Sequence, residues 1–335
     1  MAFLKGPKKM ILKDAADPTP KADEVVIKVR YCGICGSDLH AYETGIYSGV
    51  MGHEISGDIE SVGESVRGWK TGDRVIPYIV FSCGTCYHCQ RGLPNLCMSV
   101  RLLGFTAPGG YAEHVTVRAS MLHRLSNGTP YEAGCLADGA AGALRAVKWS
   151  VRSGDTVLIM GAGPIGLYAM QIARKAGASK VYVTQGSQMR AEAARKLGAD
   201  EVFNPANVRI NQKMFELTKG IGPDVVIECA GKPETIRNAP MIVRKGGKVV
   251  NIGECTVDVP INIVDFTFRE AEMKGVFAYT MEDFERAAQL IERKEINVAP
   301  IVTDKIGLSE IVEKGFEALL RPDKNHIKIL VDPTR

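Results

Sequence analysis

From Thr156 onward, short apolar runs alternate with stretches whose apolar residues recur on a helical period. TVLIM (156–160) leads to a predicted helix at about 164–176, and KVYVT (180–184) to one at about 188–197. EVFN (201–204) leads to a helix at about 207–219, DVVIECA (224–230) to one at about 233–243, and KVVNIG (248–253) follows. This rhythm predicts βαβ units and a doubly wound parallel sheet. Before about residue 140 the pattern differs. Short β-branched runs, at 24–30, 57–62, 74–77 and 111–117, are separated by turn residues, as in an antiparallel, partly barrel-like β domain. After KGVFA (274–278) come predicted helices near 281–293 and 309–320 and a last strand, HIKILV (326–331). Chain ends often lie close together, so this tail is expected to return to the first domain. The expected division is 1–140, 141–277 and a return over 278–335.

The chain has 335 residues, 45% hydrophobic and 24% charged, which suits two globular domains. Its 42 basic and 38 acidic residues contain no long block of one sign, so neither nucleic acid nor an anionic membrane is an implied partner. The first twenty residues hold no apolar run of signal-peptide length. Thr156–Ala173 is uncharged for 18 residues, long enough to raise a membrane span. Three glycines and a proline inside it favour strand, turn and helix instead. A soluble cytoplasmic protein with reduced thiols is the expectation.

That compartment decides how CGTCYHCQRGLPNLC (83–97) is read. Four reduced cysteines with two, two and seven residues between them match one closed, tetrahedral, all-thiolate zinc site, and Gly84, Gly92 and Pro94 supply the bends. The competing reading is a set of redox cysteines. With every position filled by protein, a zinc at Cys83, Cys86, Cys89 and Cys97 is structural.

GAGPIG, with Gly161, Gly163 and Gly166, stands between an apolar strand and a helix. In that setting the glycines allow a tight turn, close approach of a pyrophosphate, and close packing of helix on strand, and the helix N-terminus offers N–H groups to the phosphates. An acid that would bind the adenosine ribose is expected about 20 residues on. The strand KVYVT ends instead in Gln185, Gly186 and Ser187. A 2′-phosphate meets no repelling carboxylate there, and Ser187 and Arg190 are placed to bind it, which puts NADP slightly ahead of NAD. In the alternative, Gln185 is a neutral ribose ligand in an NAD enzyme.

CGICGSDLH (32–40) and GHE (52–54) gather Cys35, His40, His53 and Glu54 among what read as tight turns. A catalytic zinc takes three protein ligands and keeps one position open, and Cys35 and His53 are the evident pair. Taken with GGYAEH (109–114), GAGPIG, KGVF (274–277) and the four-cysteine lobe, in this order, the whole chain resembles the zinc-dependent medium-chain dehydrogenase/reductase family, which includes alcohol, polyol and threonine dehydrogenases. The resemblance implies a GroES-like catalytic domain followed by a Rossmann domain, and a homodimer or homotetramer joined through the cofactor-domain sheet edge. It implies that Cys35 and His53 bind a catalytic zinc, with Glu54 the neighbouring carboxylate that stabilises the site or replaces its water. Asp138 aligns best with the third ligand, with Cys135 as competitor. Pro164, Ile165, Ile252 and Phe277 join the glycines as cofactor contacts, and Cys32, Cys229 and Cys255 are left as core thiols. Two departures bear on the substrate. Asp138–Gly139–Ala140–Ala141 stands where many polyol-type relatives have Glu-Pro, with Arg145 in place of a common histidine, and the segment from Ala41 to Met51 is short.

The implied reaction interconverts an alcohol and its carbonyl compound. Zinc carrying one thiolate and one carboxylate stabilises an alkoxide in the open position, whose carbon passes a hydride to the nicotinamide. Ser37 accepts the alcohol proton and His40 passes it toward solvent. A rival activity in the fold, reduction of an activated C=C bond, belongs to zinc-free relatives that lack the Cys35/His53/Asp138 set. A non-enzymatic NADP-binding sensor with structural zinc alone has no need of Ser37 and His40 beside a second metal.

Overall fold

The computed structural model describes residues 1–323 and 325–335. The chain divides into two compact units, Met1–Ala141 with Thr280–Lys294 and Val298–Arg335, and Gly142–Tyr279 with Glu295–Asn297. Within the second unit, Gln171 donates to the backbone carbonyl of Asn297 at 3.2 Å and accepts from its N–H at 2.7 Å.

Among the described residues, the second unit holds a six-stranded sheet, parallel throughout. Its strands in chain order are Thr156–Met160, Lys180–Thr184, Glu201–Phe203, Val225–Glu228, Lys248–Asn251 and Glu272–Gly275. In space they run 3-2-1-4-5-6, the order of the doubly wound dinucleotide fold. Helices cover the sheet, so its strands are continuously apolar; Leu158, Tyr182, Val226 and Val249 pack with Phe203, Met214 and Ile242 in one core. The uncharged stretch from Thr156 becomes a strand and the helix Pro164–Lys175, and no described helix is long and apolar enough to cross a membrane. The sixth strand ends at Gly275, so Val276–Ala278 lie past it and Phe277 is exposed.

The first unit is built on a seven-stranded sheet among the described residues. The central strand Glu24–Gly33 pairs antiparallel with Glu54–Val62, His114–Arg118 and the last strand, Lys328–Asp332. Register shifts at Val26/Ile27 and Val29/Tyr31 bend the first of these pairs. Gly33 then faces Glu54 on one side and Leu330 on the other. Three distant segments meet at that strand end. Val298–Arg335 belong to this unit, and their helical part is broken into the short turn Leu308–Glu310, the π-helical stretch Ile311–Glu317 and Ala318–Leu320.

Candidate functional site

The strand end carries the chemistry. Two residues beyond Gly33, Cys35 caps a helix, Gly36–Thr44, where the sequence suggested only turns. The helix forms because Asp38, in its first turn, accepts the Cys35 backbone N–H at 2.9 Å. Across the Gly33–Glu54 pair lie His53 and Glu54, and one ligand atom each from Cys35, His53 and Glu54 falls within 4.8 Å of the others. Asp138, in the first turn of the helix Ala137–Ser150, brings Oδ2 to 3.9 Å from His53 Nε2. Cys135, the competing residue, points its thiol at the Glu132 carbonyl, 3.4 Å away.

Behind His53 stands Asp38, fully buried, with Oδ1 at 3.4 Å from Nδ1. Its Oδ2 also accepts the Tyr111 hydroxyl at 2.7 Å. The carboxylate stands on the Nδ1 side of the ring and Asp138 on the Nε2 side, and a carboxylate behind the ring is the usual neighbour of a metal-binding histidine. Burial alone would lower the His53 pKa, but Asp38 and Cys35 outweigh it and hold it well above the ordinary value. Burial would raise Asp38, yet His53 and the Cys35 N–H keep it low. A buried imidazole ringed by Cys35, Asp38, Glu54 and Asp138 is a site that attracts positive charge, and its mixed S, N and O donors suit zinc. Phe105 lies 4.9 Å from the His53 ring and Tyr47 5.1 Å from Phe105, giving the site an aromatic wall. Ser37 and His40, both half-buried, lie three residues apart on the helix Gly36–Thr44, hence on one face.

The four-cysteine lobe fits a metal more tightly. Cys86 Sγ lies 3.5 Å from Cys89 and 3.9 Å from Cys97, and Cys83 lies 3.9 Å from Cys89. Zinc–thiolate bonds of about 2.3 Å in a tetrahedron place sulfurs about 3.8 Å apart. These separations exclude disulfides, and the thiols are free. The backbone N–H groups of Cys83 and Cys86 point at Cys97 and Cys83 sulfurs, both at 3.3 Å. Hydrogen bonds from Thr85 and the Cys86 N–H lower Cys83 to about 5, whereas burial and the neighbouring thiol raise Cys89 to about 11. Crowded thiols without a cation cannot all ionise together; a divalent metal removes that conflict.

In the second unit, Gly161 takes φ +102°, open to glycine, and a Cβ on Gly166 would lie 1.9 Å from the Gly161 carbonyl oxygen. Gly163, at the N-cap of Pro164–Lys175, has no described atom within 4 Å of its Cβ position. The loop is a cradle open to a pyrophosphate, with Pro164 and Ile165 beginning the helix. Gln185 Oε1 accepts the Ser187 N–H at 3.0 Å, closing the turn after the second strand, and burial lowers the Arg190 pKa. Ile252 donates its N–H to the Glu228 carbonyl at 3.0 Å.

Sequence reading passed over four groups. Asp38 and Tyr111 lie inside quoted motifs, GICGSDLH and GGYAEH. Glu228, at the carboxyl end of the fourth strand, is buried and accepts from Ala230 N, Gly231 N and Thr235 Oγ1. Burial raises its pKa. Lys328 is the fourth, inside the last strand.

Residues 21–127 match the family described as alcohol dehydrogenase GroES-like domain, and residues 164–293 the one described as zinc-binding dehydrogenase. A sorbitol dehydrogenase of Halalkalibacterium halodurans is 33% identical over 330 residues, spanning 96% of this chain and 95% of its own. A Sinorhizobium meliloti 1021 protein solved with NADP superposes with TM-score 0.93 at 30% identity, covering 99% of this chain and 98% of that one. An alcohol dehydrogenase of Escherichia coli CFT073 complexed with NADH gives 0.91 at 28% identity, with the same coverage.

Proposed function

Because the chain belongs to the zinc-dependent medium-chain dehydrogenase/reductase family, we propose that Cys35, His53 and Asp138 hold a catalytic zinc, and Cys83, Cys86, Cys89 and Cys97 a structural one. The protein is an oxidoreductase of the alcohol dehydrogenase type, and it moves a hydride between a nicotinamide cofactor and an alcohol or carbonyl compound. What carries the site assignment is the buried His53, backed by the Asp38 carboxylate and flanked by Cys35 and Asp138.

Bound there, zinc supplies Lewis acidity toward the alcohol oxygen, and the nicotinamide accepts or returns the hydride. The chain's own residues do the rest. Asp38 sets a negative charge beside His53 Nδ1, with Tyr111 holding Asp38 in turn. Ser37 Oγ accepts the hydroxyl proton during oxidation and His40 passes it toward water; reduction runs the relay backwards. The helix N-terminus at Pro164 and the open face of Gly163 seat the pyrophosphate. Phe105 and Tyr47 give the reacting carbon an apolar boundary, consistent with a secondary alcohol and ketone, or a primary alcohol and aldehyde, as substrates.

NADP is the preferred cofactor on this reading, since Gln185 opposes no 2′-phosphate and the part-buried Arg190 gains from an anion. The outer edge of the strand Glu272–Gly275, near exposed Ile263, Phe268 and Phe277, fits pairing with a second copy, in a homodimer or homotetramer. The thiol-rich sites suit the reducing cytoplasm. A panel of polyols, hydroxy-amino acids, and aliphatic and aromatic alcohols, assayed with both cofactors, tests these readings. Activity with NADP above NAD, lost in Ser37→Ala, is expected; Arg190→Ala should weaken NADP more than NAD. A clear preference for NAD overturns the cofactor assignment, and full activity of Ser37→Ala overturns the relay.

A further inference from the structure

Glu228 ends the fourth strand of the second unit with none of its surface exposed. Its Oε1 accepts from Ala230 N at 2.9 Å, Gly231 N at 3.0 Å and the Thr235 hydroxyl at 2.7 Å, and Oε2 accepts from Gly231 N at 3.2 Å. Every partner is a donor, which is the arrangement of an ionised carboxylate. Those donors are dipoles only; among the described residues no lysine, arginine or histidine pairs with Glu228. The buried Asp73 and Glu54, by contrast, pair with lysine or arginine. A buried charge without a counter-charge carries a large desolvation cost, and a neutral asparagine or serine closes a turn without it. Closing the turn at 228–231 therefore does not account for a glutamate.

Its place in the fold identifies the missing cation. The glycine loop follows the first strand and Gln185 the second, so the adenosine half of a dinucleotide belongs to strands one to three and the nicotinamide half to strands four to six. Glu228 stands at the carboxyl end of the fourth strand, where the nicotinamide half begins. Neighbouring loops are built around it. Ile252 N and Gly253 N both donate to its backbone carbonyl at 3.0 Å, and a Cβ on Gly253 would lie 2.5 Å from Oε2. Ala230, which it holds, lies 3.1 Å from the Cβ position of Gly161. An oxidised nicotinamide ring carries a positive charge, and a reduced one carries none.

We propose that the buried Glu228 carboxylate is a counter-charge for the oxidised nicotinamide and raises this unit's affinity for the oxidised cofactor relative to the reduced one. The proposal rests on the reading of the second unit as the seat of a nicotinamide cofactor.

Calorimetric titration of the full chain at neutral pH tests it, with the oxidised and the reduced form of whichever dinucleotide, NADP or NAD, binds tighter. A carboxylate about 12 Å from a unit cation, at an effective dielectric constant of about 20, changes the binding of that cation about tenfold. Glu228→Gln keeps the length and the Oε1 acceptor, so the turn should stand while the charge goes. The ratio of Kd for the oxidised form to Kd for the reduced form should then rise about tenfold, with Kd for the reduced form nearly unchanged. Glu228→Asp keeps the charge but withdraws it from the turn, so both Kd values should rise together and their ratio should hold. A ratio in Glu228→Gln equal to that of the unmodified protein overturns the proposal, because the residue is then structural. So does a ratio that moves in Glu228→Asp, whether or not Glu228→Gln folds, because the charge is still present there. If the unmodified protein binds neither form, the cofactor reading itself falls, and the proposal with it.

Discussion

Gly163 and Gly166 are three residues apart in one loop, and the structure separates their roles sharply. A methyl on Gly163 enters open space, and its φ of −71° suits any residue. Gly163→Ala should therefore change folding stability by no more than about 0.5 kcal/mol, as at a surface position. It should nevertheless keep a pyrophosphate from the helix N-terminus. Losing one charge-assisted N–H···phosphate bond costs about 1.5–3 kcal/mol. At 1.4 kcal/mol per decade, that weakens cofactor binding about 10- to 150-fold. Gly166→Ala is the converse. Its Cβ would sit 1.9 Å from the Gly161 carbonyl oxygen, so backbone must move, and overpacking of this kind costs about 1–3 kcal/mol. Titration of reduced cofactor by fluorescence gives Kd, and thermal unfolding gives Tm, for both variants. The reasoning is refuted if Gly163→Ala binds cofactor as the unmodified protein does, or if its loss of affinity comes with a Tm loss like that of Gly166→Ala.

Two further outcomes follow from the first unit. Asp138→Asn should cut kcat by orders of magnitude with cofactor Kd unchanged, and Cys135→Ser should be mild; steady-state kinetics showing the reverse would assign the third ligand to Cys135. Asp73 is buried, and burial would raise its carboxyl, but hydrogen bonds from Lys70 and Arg124 lower it below the ordinary value. It therefore stabilises the fold above its unfolded pKa of about 3.9, and that contribution fades as pH falls through the lower folded value. The Tm deficit of Asp73→Asn should shrink from pH 7 to pH 3; a constant deficit would contradict the assignment.

The sequence carried what is local. The spacing of Cys83, Cys86, Cys89 and Cys97 is a property of fifteen residues, and their sulfurs lie at separations a single ion demands. The strand–glycine–helix unit at 156–175 was equally legible, because the apolar run, the glycines and the helix are contiguous. Cys35 and His53 were readable as a pair, but the reason they meet was not: it lies in the Gly33–Glu54 register, set by two bulges close before Cys35 but more than twenty residues before His53. The helix after Cys35 escaped because its cap is Asp38, which also serves His53, and a periodicity reading sees neither role. Lys328 was out of reach. In HIKILV it looks like the polar position of an edge strand, and only the pairing of that strand with Glu24–Gly33 turns it inward to Glu54.

Zinc content per chain tests the central claim most directly. Elemental analysis of the purified protein should give two zinc ions. Cys35→Ser should remain folded with one, and should have lost alcohol oxidation, while Cys86→Ser should lose the other ion together with thermal stability. One zinc in the unmodified protein, or two retained in Cys35→Ser, would contradict the account.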